Sequence, residues 1–333
     1  MRKRALIFGV SGQDGSLLAQ LLLAKGYEVH GTSRDAEIAR FDNLKRLGIF
    51  ERVTLHSTNL NDFRSTLQSL RDVEPAEIYN LSAQSSVGLS FGQPTETVNS
   101  IVGATLNLLE AIRFLGLPAR LANASSSEMF GDTGEKPADE TAPFRPRSPY
   151  GIAKASAHWM ADTYRQAYGI AVSSLILFNH ESPLRNERFV TQKIVRAAVD
   201  IASGSDRKLT LGNLAIVRDW GWAEEYVEAM WLALQQDKSS DYVIATGVGC
   251  SLERFVALAF EGVGLDWRRH VVLDPALHRP YEVDRTVGDP GLAGDKLTWK
   301  PKRTVTGVVE GLVAAEKAKA REKGAGRGGL QLK

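Results

Sequence analysis

Apolar positions along the chain follow two alternating patterns. Short, nearly continuous apolar runs are separated by longer stretches in which apolar residues recur every three to four positions. Residues 4–10 (RALIFGV) form the first run, which ends in glycine and reads as a buried parallel strand. A helical stretch, SLLAQLLLAKGY, follows at 16–27 and is stopped by Gly26. Further strands are expected at 28–32 (EVHGT), 53–55, 77–83 (EIYNLSA), 120–125 (RLANAS) and 172–178 (VSSLILF). Helices are expected at 95–115, with Ile101, Ala104, Leu108 and Ile112 on its apolar face, and at 150–168. Strands alternating with helices predict an α/β fold, a doubly wound parallel sheet of the Rossmann type.

After Phe178 the pattern loosens. Residues 185–193 are polar and loop-like, with an apolar helix beginning near Val190. Residues 209–211 and 242–245 read as strands returning to the sheet, and 267–282 as irregular. The expected organisation is a sheet domain over 1–178, joined by later segments, and a smaller, interleaved C-terminal substrate lobe over 179–315. A basic, disordered tail is expected over 316–333, fraying after Ala320.

Composition is that of a globular protein, 43% hydrophobic and 24% charged among 333 residues. The net charge of +2 offers no global field for nucleic acid or an anionic membrane, and neither is expected as a partner. The charge is uneven: residues 316–333 carry +4, which leaves −2 on the rest. The tail lies outside every motif, so no part in the chemistry is expected of it. The single cysteine, Cys250, excludes an intramolecular disulfide and a multi-cysteine zinc site, and no metal is expected. The first apolar run is too short for a signal peptide, and no stretch nears the ~20 apolar residues of a membrane helix. A cytoplasmic location is the expectation.

Candidate chemistry begins at Gly9, Gly12 and Gly15, spaced GxxGxxG between the first strand and helix. Glycines there permit a tight turn and let a pyrophosphate approach the helix N-terminus, where free N–H groups point at the anion. The end of the second strand selects the dinucleotide. An acid there would hold the ribose hydroxyls of NAD, but the residues are Gly31, Thr32, Ser33 and Arg34. Arg34 can pair with a 2′-phosphate, which favours NADP, unless Asp35 competes for it. Asn59 and Leu60 are placed near the adenine, and Leu81, Ala83 and Ser85 along the nicotinamide half.

Tyr150 and Lys154, four apart on one helix face, form a YxxxK pair. A lysine ammonium beside the phenol is expected to lower its pKa toward neutrality, so that it can take a hydroxyl proton while hydride leaves the same carbon. Upstream, 124–131 (ASSSEMFG) ends a strand at the ligand face of the sheet. Ser126 can bond the reacting hydroxyl there. Glu128 is an additional carboxylate that alcohol oxidation does not need; it suits proton abstraction beside a new carbonyl, or a surface salt bridge.

The segments GxxGQDGS, EIYNLSAQSSVGLSF, SSSEMFG, PRSPYGIAK, ILFNHESPLR, FVTQK, RDWGWAEEYVEAMW and RPYEVD occur in order over 4–313. Together they resemble the GDP-mannose 4,6-dehydratases, which are extended short-chain dehydrogenase/reductases. That resemblance implies oxidation of the hexose C4 hydroxyl with bound NADP, water elimination across C5 and C6, and hydride return to C6. It implies Tyr150 as base with Lys154, Glu128 as acid/base, and Gln13, Asp14, His180 and Arg185 beside the cofactor. It places Asn179, Val190, Lys193, Arg218, Arg279 and Glu282 on the guanosine diphosphate, with Glu282 accepting from the guanine amino group. It also implies a homodimer, or a homotetramer, with the helices at 95–115 and 150–168 paired across a twofold axis.

Two departures stand out. Ser126 replaces the family's usual threonine, and Ser33-Arg34-Asp35-Ala36 replaces a paired-arginine loop that in relatives binds cofactor and joins dimers. Other readings stay open on the sequence: a GDP-4-keto-6-deoxymannose reductase or epimerase, a dehydratase of another GDP-sugar such as GDP-manno-heptose, or a non-catalytic nucleotide-sugar sensor.

Overall fold

The structure, a computed structural model, describes the backbone of residues 2–328 and the side chains of 2–322. Seven parallel strands form the main sheet in the order β10-β6-β5-β4-β1-β2-β3. They are β1 (Arg4–Phe8), β2 (Glu28–Ser33), β3 (Thr54–Ser57), β4 (Glu77–Asn80), β5 (Arg120–Ser126), β6 (Val172–Leu177) and β10 (Tyr242–Ile244). β1 and β4 pair at the centre, and the winding reverses there. A ligand crevice opens at such a switch point, beyond the carboxyl ends of the strands. Leu6, Ile7 and Phe8 are buried on both faces of β1, which is why the run shows no alternation.

Helices cover both faces: α1 (Gln13–Ala24), α2 (Asp42–Arg46), α3 (Phe63–Val73), α4 (Val87–Gly92), α5 (Pro94–Val98), α6 (Ala104–Leu115) and α7 (Pro149–Tyr168). One π-helical turn, Asn99–Gly103, joins α5 to α6. The stretch Pro94–Leu115 is long and apolar enough to cross a membrane by length and composition. Here it packs against α3 and α7, and Leu108, Leu109 and Ile112 are buried on the sheet.

A second core lies beside the first. Helices α8 (Val190–Ala202), α10 (Leu252–Glu261) and α12 (Val305–Gly328) pack together, burying Ile194, Phe255, Phe260, Val308 and Leu312. A four-stranded sheet borders it. Its centre, β9 (Val217–Trp222), pairs with β7 (Asn179–Glu181), β11 (Gly249–Ser251) and β13 (Arg285–Thr286). Residues 209–211, expected to return to the main sheet, instead form β8 (Leu209–Leu211), which pairs with β12 (Val271–Leu273). Buried Leu209 and Leu211 belong to the second core, and their short alternation carries no record of which sheet they join.

The chain passes between the two cores repeatedly. α9 (Ala223–Ala233) packs on α1, β10 completes the main sheet, and α11 (Gly291–Leu297) packs on β10. Trp299 still belongs to the first core, and α12 belongs to the second. The expected disordered tail is corrected through Gly328. Residues 305–328 are one helix, with Val308, Val309, Leu312 and Val313 buried and Ala320 packed against the second core. Its stretch 314–323 (AAEKAKAREK) consists entirely of strong helix formers, and that propensity outweighs the charge that suggested disorder. The last five residues of the expected tail lie outside the described residues.

Candidate active site

A cleft of about 1130 Å³ runs from the carboxyl ends of β1, β2 and β4 to the second core. Its first wall is backbone. Gly12 N–H donates to the Gly9 carbonyl at 3.1 Å, closing the turn that starts α1. A Cβ on Gly15 would stand 2.3 Å from that same carbonyl oxygen, so only glycine lets the helix start this close to the strand. The resulting cradle fits a dinucleotide pyrophosphate. Gly9, Gly12, Gln13, Asp14, Gly15, Arg34, Asn59, Leu60, Leu81, Ala83, Ser85, His180 and Arg185 all line the cleft.

Asp14 places a negative charge in the first turn of α1, beside this anion cradle. The structure neutralises it. His180 Nε2 lies 3.0 Å from Asp14 Oδ2, and Nδ1 lies 2.7 Å from the Phe178 carbonyl. Both ring nitrogens face acceptors, so both donate and the ring is an imidazolium. Burial alone would push the Asp14 carboxyl up; the His180 charge, the hydrogen bonds from His180 and Gln13 and the Arg185 charge outweigh it, to about 2. Burial would lower the His180 pKa, but Asp14 raises it by charge and hydrogen bond. Gln13 Nε2 donates to the His180 carbonyl, and Ser182 Oγ donates to Gln13 Oε1. These bonds fasten β7 to the glycine turn.

At the far end, the Arg34 side chain is largely exposed and stands 3.7 Å from Glu96. Asp35 does not compete for it. Its carboxylate accepts from Glu37 and Ile38 N–H within its own loop. Arg40, Asn43 and Arg46 also line this end and escaped the sequence reading. Four cations within thirteen positions after β2, Arg34, Arg40, Lys45 and Arg46, were the available signal.

The catalytic candidates meet where β5 ends and α7 begins. Ser148 caps α7 by accepting from Gly151 N–H at 3.0 Å, and Pro149 fills the first turn. That sets Tyr150 and Lys154 on the cleft face. A Cβ on Gly151 would stand 2.6 Å from the Glu128 carbonyl, so glycine draws α7 against the Ser127–Met129 turn. Ser126 joins the parts: its hydroxyl accepts from Glu128 N–H at 3.3 Å, and it is near enough to Tyr150 to favour the ionised phenol. Ser126, Glu128, Tyr150 and Lys154 all line the cleft.

The expected lowering of the Tyr150 pKa does not occur. Burial pushes the phenol up to about 12; the Ser126 hydrogen bond opposes this, and the Glu128 charge adds to it. Lys154 does not oppose it because its ammonium is turned aside. Nζ donates to the Ala124 carbonyl at 2.6 Å and stands 5.8 Å from the centre of the Tyr150 ring. Burial brings Lys154 itself down to about 8.

The opposite wall belongs to the second core. Asn179, Val190, Arg218 and Arg279 line it, together with Lys319 of α12. Arg218 is buried, and burial lowers its pKa. Two expected residues are absent from the wall. Lys193 lies exposed one turn farther along α8, beyond the end that meets the cleft. Glu282 does not line the cleft; it lies 3.4 Å from both Arg218 and Arg279 and pairs with the two guanidiniums.

Known proteins resemble this chain over nearly its whole length. The profile of the "GDP-mannose 4,6 dehydratase" family matches residues 6–312. A GDP-mannose 4,6-dehydratase of Vibrio cholerae is 44% identical over 339 residues, 92% of this chain and 91% of that protein. GDP-mannose 4,6 dehydratase 1 of Arabidopsis thaliana is 46% identical over 311 residues, 90% of this chain and 86% of that protein. Among solved structures, a Thermus thermophilus UDP-glucose 4-epimerase in complex with NAD superposes with a TM-score of 0.83 at 27% identity, covering 94% and 99% of the two chains. RMD from Pseudomonas aeruginosa, complexed with NADPH, shares the fold with a TM-score of 0.78 at 22% identity, covering 96% and 99%. With a cleft of this construction and a family match over nearly its whole length, the chain belongs to the GDP-mannose 4,6-dehydratase family.

Proposed function

We propose that this protein converts GDP-mannose to GDP-4-keto-6-deoxymannose, as a hydro-lyase whose NADP is regenerated in every turnover. The observation that carries the reading is the meeting of Ser126, Glu128, Tyr150 and Lys154 in one cleft of a chain from this family. Leu81, Ala83 and Ser85 would hold the nicotinamide, which when bound would accept the C4 hydride and return it to C6.

The chain's own groups do the rest. Ser126 and Tyr150 hold the C4 hydroxyl, and Tyr150 takes its proton as C4 becomes a carbonyl. Tyr150 acts from its phenolate form, which Lys154, at about 8 and mainly charged at neutral pH, favours once its ammonium swings from the Ala124 carbonyl to the phenol. The new carbonyl acidifies C5–H. Glu128 removes that proton and gives one to the departing C6 hydroxyl, so water leaves and a C5–C6 double bond forms. Hydride then enters at C6, and the proton held by Tyr150 is delivered to C5, which restores both groups for the next turnover. Arg218 and Arg279, held by Glu282, bind the diphosphate. Arg34, with Arg40 and Arg46, favours NADP over NAD at the adenosine end, where Asp35 is occupied by its own loop.

Incubation of purified protein with GDP-mannose, without added NADPH, tests the reading. Accumulation of a 4-keto sugar nucleotide is expected; a protein that needs stoichiometric NADPH is a reductase instead. We also propose a homodimer through α5–α7, where Val98, Ile152 and Trp159 expose large apolar surface. Light scattering at micromolar concentration is expected to give twice the chain mass, and a monomer would contradict it.

A further inference from the structure

The C-terminal helix, expected to stay outside the chemistry, reaches the nucleotide side of the cleft. Gly311 of α12 packs on the Trp222 ring, where an added Cβ would meet Cη2 at 3.1 Å. Arg303, just before the helix, stacks on the same ring at 4.0 Å. The start of α12 is thereby fixed at the end of β9, and the helix packs against that strand. Eight residues beyond Gly311, at 1.5 Å per residue, the helix has advanced ~12 Å. The strand from Trp222 back to Val217 spans ~16 Å. Lys319 is therefore carried toward the first residues of β9, and it lines the cleft with Ile216 and Arg218.

Its ammonium is held there. Lys319 Nζ stands 3.0 Å from Glu316 Oε2, a carboxylate whose side chain is only 13% exposed. Ala320 packs against the second core and anchors this turn of the helix. The other cations of this wall are partly spent: Arg218 and Arg279 share Glu282. That trio carries a net +1 against a diphosphate, and Lys319, its own charge matched by Glu316, brings a further N–H donor to the same wall. We infer that Lys319 is a nucleotide-binding residue, donating from the C-terminal helix to a phosphate oxygen of the bound nucleoside diphosphate, with Glu316 as its positioning partner.

This rests on the proposed GDP-sugar reading of the cleft. The experiment compares wild-type protein with Lys319→Met and Lys319→Arg, each with its cofactor content measured. GDP binding is read by calorimetry, and KM and kcat by turnover of GDP-mannose. For Lys319→Met, the Kd of GDP and the KM are expected to rise about tenfold, or about 1.4 kcal/mol, with kcat and cofactor content unchanged. Lys319→Arg is expected to restore most of the affinity, and the loss in the methionine variant to shrink as salt is raised. Equal GDP affinity in wild type and Lys319→Met would overturn the inference while leaving the cleft's function intact. Wild-type protein that fails to bind GDP would instead sink the underlying reading.

Discussion

The two walls of the cleft are built by opposite means. Beside β1 and α1 the surface is mainly backbone, a turn closed by Gly12 on Gly9 and completed by the missing Cβ of Gly15. Across the cleft it is side chains: Arg218 from β9, Arg279 from a loop, Lys319 from α12. Backbone recognition needs one short segment with the right residues absent. Side-chain recognition needs the right residues present on segments that only the fold brings together. The first wall resists most substitutions but not an added methyl group; the second tolerates small shifts of backbone but not a lost charge.

The largest effect should come at the junction, which belongs to neither wall. Tyr150→Phe should lower kcat by about 10³-fold or more, leaving GDP and cofactor binding unchanged. Equal loss of either affinity would show that the junction is part of a wall. Gly15→Ala should break the backbone wall alone. A destabilisation of about 3 kcal/mol by denaturant titration is expected, together with purification free of cofactor. If cofactor is retained, the turn is not its seat. Arg218→Ala should break only the other wall. It should raise the GDP-mannose KM by about 30-fold, roughly 2 kcal/mol, at unchanged cofactor content.

A smaller effect sharpens how the walls are joined. Asp14 is drawn from 3.8 to about 2, so its share of stability is full above about pH 4 and is lost as pH falls through 2. His180 is raised above 6.5, so its share is full below about 6.5 and is lost as pH rises through the raised value. The stability gap between wild type and Asp14→Asn should therefore be widest between about pH 4 and 6.5, on the order of 1–2 kcal/mol. Melting temperatures across pH 3–9 would show it; a gap independent of pH would mean that the pair is not ionised.

This contrast also explains what could be read without a structure. The parallel sheet, the glycine turn and the capped start of α7 are local, and each leaves its pattern within a dozen residues. Arg40 and Arg46 were missed although they lie close by, because an arginine among charged loop residues looks like a solvated one. Lys319 left no signal at all: its neighbours in the cleft lie about a hundred positions away in sequence. The Tyr150 pKa misled for a different reason. Spacing puts Lys154 on the right helix face, but the reach of its ammonium to the Ala124 carbonyl is a matter of rotamer and burial. For Glu282 the sequence carried no sign of its pairing with two arginines that lie 64 and 3 positions away.

The repeated passage of the chain between its two cores limits how such a protein can be taken apart. Residues 223–245 and 291–299 serve the main sheet, whereas the segments on either side serve the lobe. No single cut separates a cofactor module from a sugar-nucleotide module. A lobe grafted from a relative with another substrate would have to arrive as three pieces at once, each with matching seams. Changes of specificity in this architecture are therefore accessible residue by residue along the lobe wall, and hardly at all by swapping domains.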